Sequence, residues 1–293
     1  MTRIPTRSAT VLTGLIGSGI APSLSPALHE REARILGIDC RYELWDLDDL
    51  NTGPDSVGAL LHLARDMGYQ GLNITHPCKQ LVIPHLDKLS PDAEAIGAVN
   101  TVMISGEGFV GHNTDWSGFR TGLVEGLPFA ARDRVVLIGA GGAGAAAAHA
   151  LLDLETAGLD VVDADPGRAS RLAAQLGTRF GSDRATSGTL ADLASMLKDA
   201  DGLVHATPVG MATHPGSAVP ATLLRPDLWV AEIVFRPLRT PLLAAAEAAG
   251  APCLDGGRMN AHQAAEAFHL FTGVQPDADR MYAHLRELVA AEK

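Results

Sequence analysis

Short apolar runs bounded by glycine or proline alternate with longer amphipathic segments along most of the chain. The apolar runs predict strands at 11–16, 40–47, 71–75, 134–138, 159–162, 202–206, 228–234 and 252–254, and a hairpin at 98–104 and 108–111. Segments 26–36, 57–67, 143–150, 167–176, 190–198, 241–250, 258–272 and 276–292, and one starting at Asp115, favour helices. Strands alternating with helices predict an α/β fold with mainly parallel sheets.

A glycine-rich turn lies near the middle of the chain. A β-branched run ends at Gly139, and Gly139, Gly141 and Gly144 fit G-x-G-x-x-G before an alanine-rich helix. This pattern is typical of a turn that holds a dinucleotide pyrophosphate at a helix N-terminus. Asp163, which ends the next apolar run, stands where a ribose-binding carboxylate is expected. The alternative is an ordinary βαβ turn without ligand.

Composition narrows the function classes. The 293 residues suit two domains, and 46% of them are hydrophobic, as in globular proteins. A net charge of −11 argues against nucleic-acid or anionic-membrane partners. Three separated cysteines suit a reducing, cytoplasmic location, and the eleven histidines show no metal-binding spacing, so no metal is expected. Residues 1–10 lack the apolar core of a signal peptide, and no segment favours a membrane span.

Several polar residues follow or interrupt the predicted strands, and each has two interpretations. Ser23 and Ser25 follow the first strand, and helix capping is favoured over ligand binding. Lys79 is a solvated charge or a ligand contact at a strand's carboxyl end. Asn100, inside an apolar run, anchors backbone or faces a ligand. Asp115 caps its helix or has a chemical role, and Gln263 is a core amide or a ligand contact.

Together these blocks resemble the shikimate/quinate dehydrogenase family. The matching blocks, in the family's order, are Ser23-Leu-Ser25-Pro26, Asn73-Ile-Thr-His-Pro-Cys-Lys79, Ala98-Val-Asn100-Thr, Asn113-Thr-Asp115, the Gly139–Gly144 turn, Ala206-Thr-Pro-Val-Gly-Met211, and 259–263. The resemblance implies a discontinuous substrate-binding domain at 1–114 and 258–293, a Rossmann-like NAD-binding domain at 115–257, and an active site in the cleft between them. It further implies NAD as cofactor and shikimate or quinate as substrate.

The same resemblance assigns roles to individual residues. Ser23 and Ser25 are expected to bind the substrate carboxylate, and Thr75, Asn100 and Gln263 the ring hydroxyls. Lys79 and Asp115 are expected to form the catalytic pair and to contact the substrate. The residues expected to bind the cofactor are Gly139, Ala140, Gly141, Gly142, Ala143, Gly144, Asp163, Arg168, Thr207, Pro208, Met211, Gly256 and Met259.

Three departures from the family pattern qualify these expectations. The segment Asp163-Ala-Asp165-Pro-Gly-Arg168 replaces an Asn-Arg-Thr-like segment of NADP users, and its carboxylates repel a 2′-phosphate. NAD is therefore expected, with NADP the weaker alternative. His205 stands where asparagine is usual, and Phe235 where the family has tyrosine near the nicotinamide. His205 has no interpretation at the level of sequence.

Competing functions remain open beside the leading one, which is NAD-dependent oxidation of shikimate, with quinate as a further substrate. One is a dehydrogenase of an aminoshikimate-like or other specialised ring. Another is a non-catalytic regulatory protein that senses NAD, although a sensor needs no proton-transfer pair. A monomer and a homodimer are both compatible with the sequence.

Overall fold

The computed structural model describes residues 10–292, and the segment 1–9, where no signal peptide is expected, lies outside it. Two sheets of six strands are each covered by helices. The helices and strands divide the described chain into two units, one comprising 10–114 and 264–284, and the other 115–263 and 285–292. Among residues 10–292, no helix has the length and apolar character to cross a membrane.

The first unit contains a mixed sheet. Its elements are β1 (Val11–Gly17), α1 (Ser25–Ile35), β2 (Cys40–Asp46), α2 (Val57–Asp66), β3 (Gly71–Ile74), α3 (Cys78–Leu81), β4 (Lys88–Leu89), α4 (Pro91–Ile96), β5 (Thr101–Ser105) and β6 (Gly108–His112). The strand order is β2-β1-β3-β5-β6-β4. Strands β2, β1 and β3 are parallel, whereas β5 runs antiparallel to both β3 and β6, as the predicted hairpin requires.

The second unit contains a fully parallel sheet. Its elements are α5 (Thr114–Gly126), β7 (Arg134–Ile138), α6 (Gly142–Asp153), β8 (Gly158–Val162), α7 (Pro166–Phe180), β9 (Ala185–Gly188), α8 (Leu193–Lys198), β10 (Gly202–His205), β11 (Trp229–Glu232), α9 (Pro241–Ala248) and β12 (Cys253–Leu254). Two further helices are divided between the units: α10 (Gly256–Thr272) belongs to the second unit up to Gln263, and α11 (Ala278–Ala291) belongs to it from Leu285 onward. The order is β12-β11-β10-β7-β8-β9. Connections reverse direction between β7 and β10, which makes this a doubly wound sheet. The α/β expectation is confirmed.

Apolar residues explain why the central strands of the second sheet are buried on both faces. Residues 135–138 of β7 and all of β10 and β11 are buried, as the continuous apolar runs of a covered parallel sheet require. Helix α6 carries a row of small buried residues, including Ala146 and Ala147, so it packs close to the strands. Helix α7 buries Leu172 and Leu176 and exposes its opposite face, as its periodicity predicts.

The boundary between the units differs from the predicted domain boundary near the C-terminus. Residues 258–263 and 285–292 lie with the second unit, whereas the sequence assigned 258–293 to the first. The side chain of Met259 packs into the core cluster of the second unit with Phe119 and Leu123. A Cβ atom on Gly118 would stand 2.7 Å from the backbone nitrogen of Gln263, so α5 and the start of α10 pack in close contact. This packing assigns the start of α10 to the second unit.

Candidate functional site

The glycine-rich turn has the conformation that its sequence predicts. Gly139 directly follows β7 and has φ at +108°, a conformation that a side chain would disfavour. A Cβ atom on Gly144 would overlap the carbonyl oxygen of Gly139, so the helix comes closer to the strand than any other residue would permit. A Cβ atom on Gly141 would meet nothing within 4 Å. Two glycines therefore shape the turn, and the third borders open space.

The open space lies at the beginning of α6. Gly141 is the N-cap residue of this helix, and no side chain caps it. The first N–H groups of a helix have no partner within the helix, and the helix dipole places positive charge beside them. Ala140, Gly142 and Ala143, all expected to bind the cofactor, complete this segment. It has the form of a binding site for a phosphate group.

Asp163 is fixed against the turn by two backbone donors. Its Oδ2 accepts the N–H of Ala140 at 2.7 Å, and its Oδ1 accepts the N–H of Asp165 at 2.9 Å. Asp165 in turn caps α7 by accepting the N–H of Gly167 at 2.8 Å. The guanidinium groups of Arg168 and Arg171 lie 3.7 and 3.9 Å from the Asp165 carboxylate, and both are exposed. The carboxylate of Asp163 is thus held at the end of β8.

The loop after β10 lies against the same turn. A Cβ atom on Gly139 would be 2.5 Å from the Ala206 oxygen and 3.1 Å from Cγ2 of Thr207. Pro208 and Met211 of this loop are exposed. Gly256 begins α10, where a Cβ atom would be 2.6 Å from the carbonyl carbon of Ile233. Of the residues expected to bind the cofactor, Met259 stands apart because its side chain lies in the core.

In the first unit, the two serines do not cap α1. The N-cap position belongs to Leu24, and no side chain accepts a capping hydrogen bond there. Instead, Oγ of Ser23 accepts the N–H of Ser25 at 3.2 Å, and the two hydroxyl oxygens are 3.2 Å apart. The capping interpretation was therefore wrong, and both half-buried hydroxyls belong to a turn in front of the helix.

Asp46 organises the loop that leads to these serines. Its carboxylate accepts the backbone N–H groups of Gly19, Ile20 and Ala21 at 2.7–3.0 Å and that of Asp48 at 3.2 Å. Burial opposes ionisation of this carboxyl group, but the four donors outweigh burial and hold its pKa below the usual value. Nothing in the sequence indicated this role, because the donors are backbone groups of another loop.

The loop after β3 meets the loop after β1. The N–H of Ser18 donates to the carbonyl oxygen of His76 at 2.9 Å, and that of Thr75 to Ile16 at 2.9 Å. Thr75 is half-buried at the end of β3, and Lys79 is half-buried on α3, one turn further. The parallel pairing of β1 and β3 thus brings the Ser23 loop and the Lys79 segment to one edge of the sheet.

Asn100 serves as a backbone anchor at this same edge. Its Oδ1 accepts the N–H of Thr114 at 2.7 Å, and its Nδ2 donates to Oγ1 of Thr114 at 3.0 Å. Its own carbonyl oxygen accepts the N–H of Ile74 at 2.8 Å, next to Thr75. Because α5 begins at Thr114, Asp115 lies inside the first helical turn and not at the cap, contrary to the capping interpretation. Asp115 is 8% exposed, so its carboxylate is largely buried.

A buried hydrogen-bonded chain underlies these residues and was missed by the sequence analysis. The hydroxyl of Tyr42 donates to Oδ1 of Asn73 at 2.8 Å and is also hydrogen-bonded to Ser25. Nδ2 of Asn73 donates to Oγ1 of Thr101 at 3.0 Å, and Thr101 donates to Oδ1 of Asn100 at 3.0 Å. This series of hydrogen bonds connects the turn that contains Ser23 and Ser25 to Asn100. Its only signal in the sequence is a polar residue within each of several apolar strands.

Gln263 lies in the second unit, on the α10 segment that packs against α5. It is half-buried, and its Nε2 donates to the carbonyl oxygen of Asn260 at 3.0 Å. The expected residues therefore form two groups. One is the sheet edge with Ser23, Ser25, Thr75, Lys79 and Asn100, and the other is the turn with Asp163 and the loop after β10. Asp115 and Gln263 belong to the unit that contains the turn.

Comparison with known proteins identifies the family. Residues 15–102 match the family model described as the shikimate dehydrogenase substrate binding domain. Residues 259–286 match the one described as the shikimate 5'-dehydrogenase C-terminal domain. A protein of Streptomyces avermitilis, named shikimate dehydrogenase (NADP(+)), is 58% identical over 94% of this chain and 95% of its own length.

The chain belongs to the shikimate dehydrogenase family. A second relative, the quinate/shikimate dehydrogenase (NAD(+)) of Corynebacterium glutamicum, is 44% identical over 93% of this chain and 96% of its own length. The solved structure of quinate dehydrogenase from Corynebacterium glutamicum in complex with NAD matches with a TM-score of 0.89 and 43% identity. The match covers 96% of this chain and 99% of that one. Membership of the shikimate dehydrogenase family, expected from the motifs, is confirmed, and it makes the chain an oxidoreductase.

Proposed function

We propose that the protein catalyses the reversible oxidation of shikimate to 3-dehydroshikimate with NAD. The observation that carries this proposal is the glycine-rich turn, open at Gly141 and flanked by the fixed carboxylate of Asp163. These residues fit a dinucleotide, since backbone N–H groups suit its pyrophosphate and a carboxylate accepts hydrogen bonds from ribose hydroxyls. When bound, the nicotinamide supplies a hydride acceptor.

Seven polar side chains supply the groups that bind and deprotonate the substrate in this proposal. In this proposal the hydroxyls of Ser23 and Ser25 bind the ring carboxylate, and Thr75, Asn100 and Gln263 bind ring hydroxyls. The amine of Lys79 takes the proton of the reacting hydroxyl as hydride leaves its carbon, and Asp115 orients the amine and the hydroxyl. An amine positioned at the reacting hydroxyl can carry out this proton transfer.

The choice of NAD over NADP rests on Asp163. Because both carboxylate oxygens accept backbone N–H groups, the side chain cannot turn away without losing two hydrogen bonds. A 2′-phosphate in the ribose position would meet this fixed negative charge, whereas a 2′-hydroxyl would donate to it. The Corynebacterium glutamicum protein is named as an NAD enzyme and supports this choice.

NADP is the second candidate, and a specific observation favours it. Arg168 and Arg171 present exposed guanidinium groups next to Asp165, and such groups bind phosphates well. The Streptomyces avermitilis relative is named as an NADP(+) enzyme. The cofactor preference therefore depends on which effect is larger: repulsion of a 2′-phosphate by Asp163, or its attraction by Arg168 and Arg171.

An assay that combines shikimate and quinate with NAD and NADP tests the proposal. We expect formation of reduced nicotinamide with shikimate, and a higher kcat/KM with NAD than with NADP. A higher kcat/KM with NADP would contradict the NAD assignment only. Dinucleotide binding without any turnover of either acid would contradict the dehydrogenase and favour a sensor. Turnover of an amino analogue in place of shikimate would favour a specialised ring substrate.

A further inference from the structure

His205 belongs to a buried polar cluster that the proposed reaction does not use. It ends β10, and its side chain and that of Glu232, at the end of β11, are both 0% exposed. Nδ1 of His205 lies 2.8 Å from Oε1 of Glu232, and Nε2 lies 2.5 Å from Oγ1 of Thr207. Two ionisable groups are thus buried beside a loop expected to bind the cofactor.

The partners of Glu232 decide which nitrogen of His205 carries the proton. Oε1 of Glu232 also accepts the N–H groups of Ile233 at 3.0 Å and Val234 at 3.1 Å. The carboxylate is therefore an acceptor, and Nδ1 of His205 is the donor. In the neutral ring Nε2 is then an acceptor, and the hydroxyl of Thr207 donates a hydrogen bond to it.

This arrangement fixes the side chain of Thr207. Its hydroxyl donates to His205 and accepts the N–H of Val209 at 3.3 Å. Its methyl group consequently faces the first glycine of the turn, where Cγ2 would be 3.1 Å from a Cβ atom on Gly139. The loop after β10 is thereby held against the glycine-rich turn that follows β7. Because β7 and β10 are neighbours where the strand order reverses, this is the point at which ligands bind in doubly wound sheets.

The other oxygen of Glu232 extends the cluster to the next loop. Oε2 accepts the hydroxyl of Thr240 at 3.0 Å, and Oγ1 of Thr240 accepts the N–H of Leu243 at 3.2 Å, which caps α9. One continuous network therefore joins the loops after β10 and β11. A buried network whose members are all hydrogen-bonded makes its surroundings rigid.

We propose that His205 is a positioning residue for the dinucleotide. With Glu232 it locks Thr207, so that the loop 207–210 is already in its binding conformation before NAD arrives. Such preorganisation lowers the cost of ordering the loop and acts on affinity, not on the chemical step. The proposal rests on the proposed dinucleotide function, and it explains what histidine does that asparagine cannot. The asparagine amide reproduces the position of Nδ1 but has no atom at Nε2.

The decisive variant is His205→Asn, because its amide can still donate to Glu232 whereas the contact with Thr207 is lost. We expect the Kd and KM for NAD to rise about threefold to tenfold, the usual worth of one lost hydrogen bond. The kcat at saturating NAD and the KM for shikimate should stay close to wild type. Thr207→Val loses the same bond and also the acceptor of the Val209 N–H, so it should raise the Kd for NAD at least as much. The double variant should be no worse than Thr207→Val, because the His205–Thr207 bond is already absent there.

Arg225→Ala is the matched control. Arg225 donates to the carbonyl oxygens of Leu197 and Ala200, near the opposite, amino end of β10. Its loss should lower the Tm and leave the Kd for NAD unchanged. A wild-type Kd in His205→Asn, additive losses in the double variant, or an equal rise in Arg225→Ala would overturn the inference. If the wild type binds NAD without oxidising shikimate, only the proposed function is contradicted. The Kd values of the variants for NAD then still test the role of His205. If it binds neither dinucleotide, both fail.

Discussion

At the scale of single residues, Lys79 has the central role in the proposed reaction. It is half-buried one turn beyond the carboxyl end of β3, in the segment that Ser18 contacts through His76. Replacing it with alanine removes the proposed acceptor of the hydroxyl proton. We expect Lys79→Ala to lower kcat by about 10²–10⁴-fold, the usual worth of positioned proton transfer, as measured by steady-state kinetics.

Lys88→Ala is the control for this variant. Lys88 is an exposed lysine on β4 in the same unit, so its removal makes the same change in net charge. It should leave kcat and the KM for shikimate unchanged. A Lys79→Ala enzyme within a few-fold of the wild-type kcat would exclude Lys79 as the acid/base.

Asp163 decides the cofactor at the same scale. Asp163→Asn removes the negative charge and keeps an oxygen that accepts the N–H of Ala140. We expect the ratio of kcat/KM for NADP to that for NAD to rise about tenfold, since about 1.4 kcal/mol of repulsion would be relieved. Steady-state kinetics with both cofactors measure this ratio. An unchanged ratio would mean that Arg168 and Arg171 set the preference.

At the scale of elements, alanine substitutions at two glycines of the same turn should have different effects. A methyl group at Gly144 would overlap the carbonyl oxygen of Gly139, whereas a methyl group at Gly141 has free space. Gly144→Ala should therefore lower the Tm, because α6 must move away from β7. Gly141→Ala should keep the wild-type Tm and raise the KM for NAD about tenfold or more, because the methyl fills the space proposed for the pyrophosphate.

Thermal unfolding and NAD kinetics on both variants test this pair. A wild-type KM for NAD in Gly141→Ala would contradict the pyrophosphate assignment. A wild-type Tm in Gly144→Ala would contradict the close packing of the helix on the strand.

Asp46 should make the stability of the protein depend on pH, through the loop that leads to Ser23 and Ser25. Four backbone donors hold the pKa of its carboxyl group below the usual value despite burial, so its contribution to stability is complete above about pH 3.9. That contribution disappears as the pH falls through the lowered pKa. Asp46→Asn should cost about 2 kcal/mol at neutral pH, the scale of hydrogen bonds to a charged group. The difference in Tm from wild type should shrink below about pH 3.9. A pH-independent difference would contradict this origin.

The elements differ in how well they could be predicted from the sequence. The strands with apolar runs, β7 above all, were predicted closely because burial on both faces requires such runs. The edge strand β9 has the sequence Ala-Thr-Ser-Gly and lacks that signal. It pairs with β8, and Thr186 donates to Asp160 at 2.5 Å. The serine turn was misjudged because Ser25-Pro26 has the sequence of a cap, while the hydrogen bond of Ser23 to the Ser25 N–H depends on backbone conformation.

At the scale of the whole molecule, the sequence established the fold class and the family more firmly than the boundaries of its parts. The motif blocks are spread over both units, so their joint occurrence is specific even though a single glycine-rich turn is not. The division at Gln263 could not be predicted, because α10 is one continuous helix and only packing assigns its first residues to the second unit.

We propose that shikimate gives a hydride to a nicotinamide on this protein. The most direct measurement uses shikimate carrying deuterium on the carbon of the oxidised hydroxyl, with NAD, followed by mass spectrometry of the nicotinamide product. We expect reduced NAD that contains the deuterium, formed together with 3-dehydroshikimate. Reduced NAD without deuterium, or no reduced cofactor with either NAD or NADP, would contradict it.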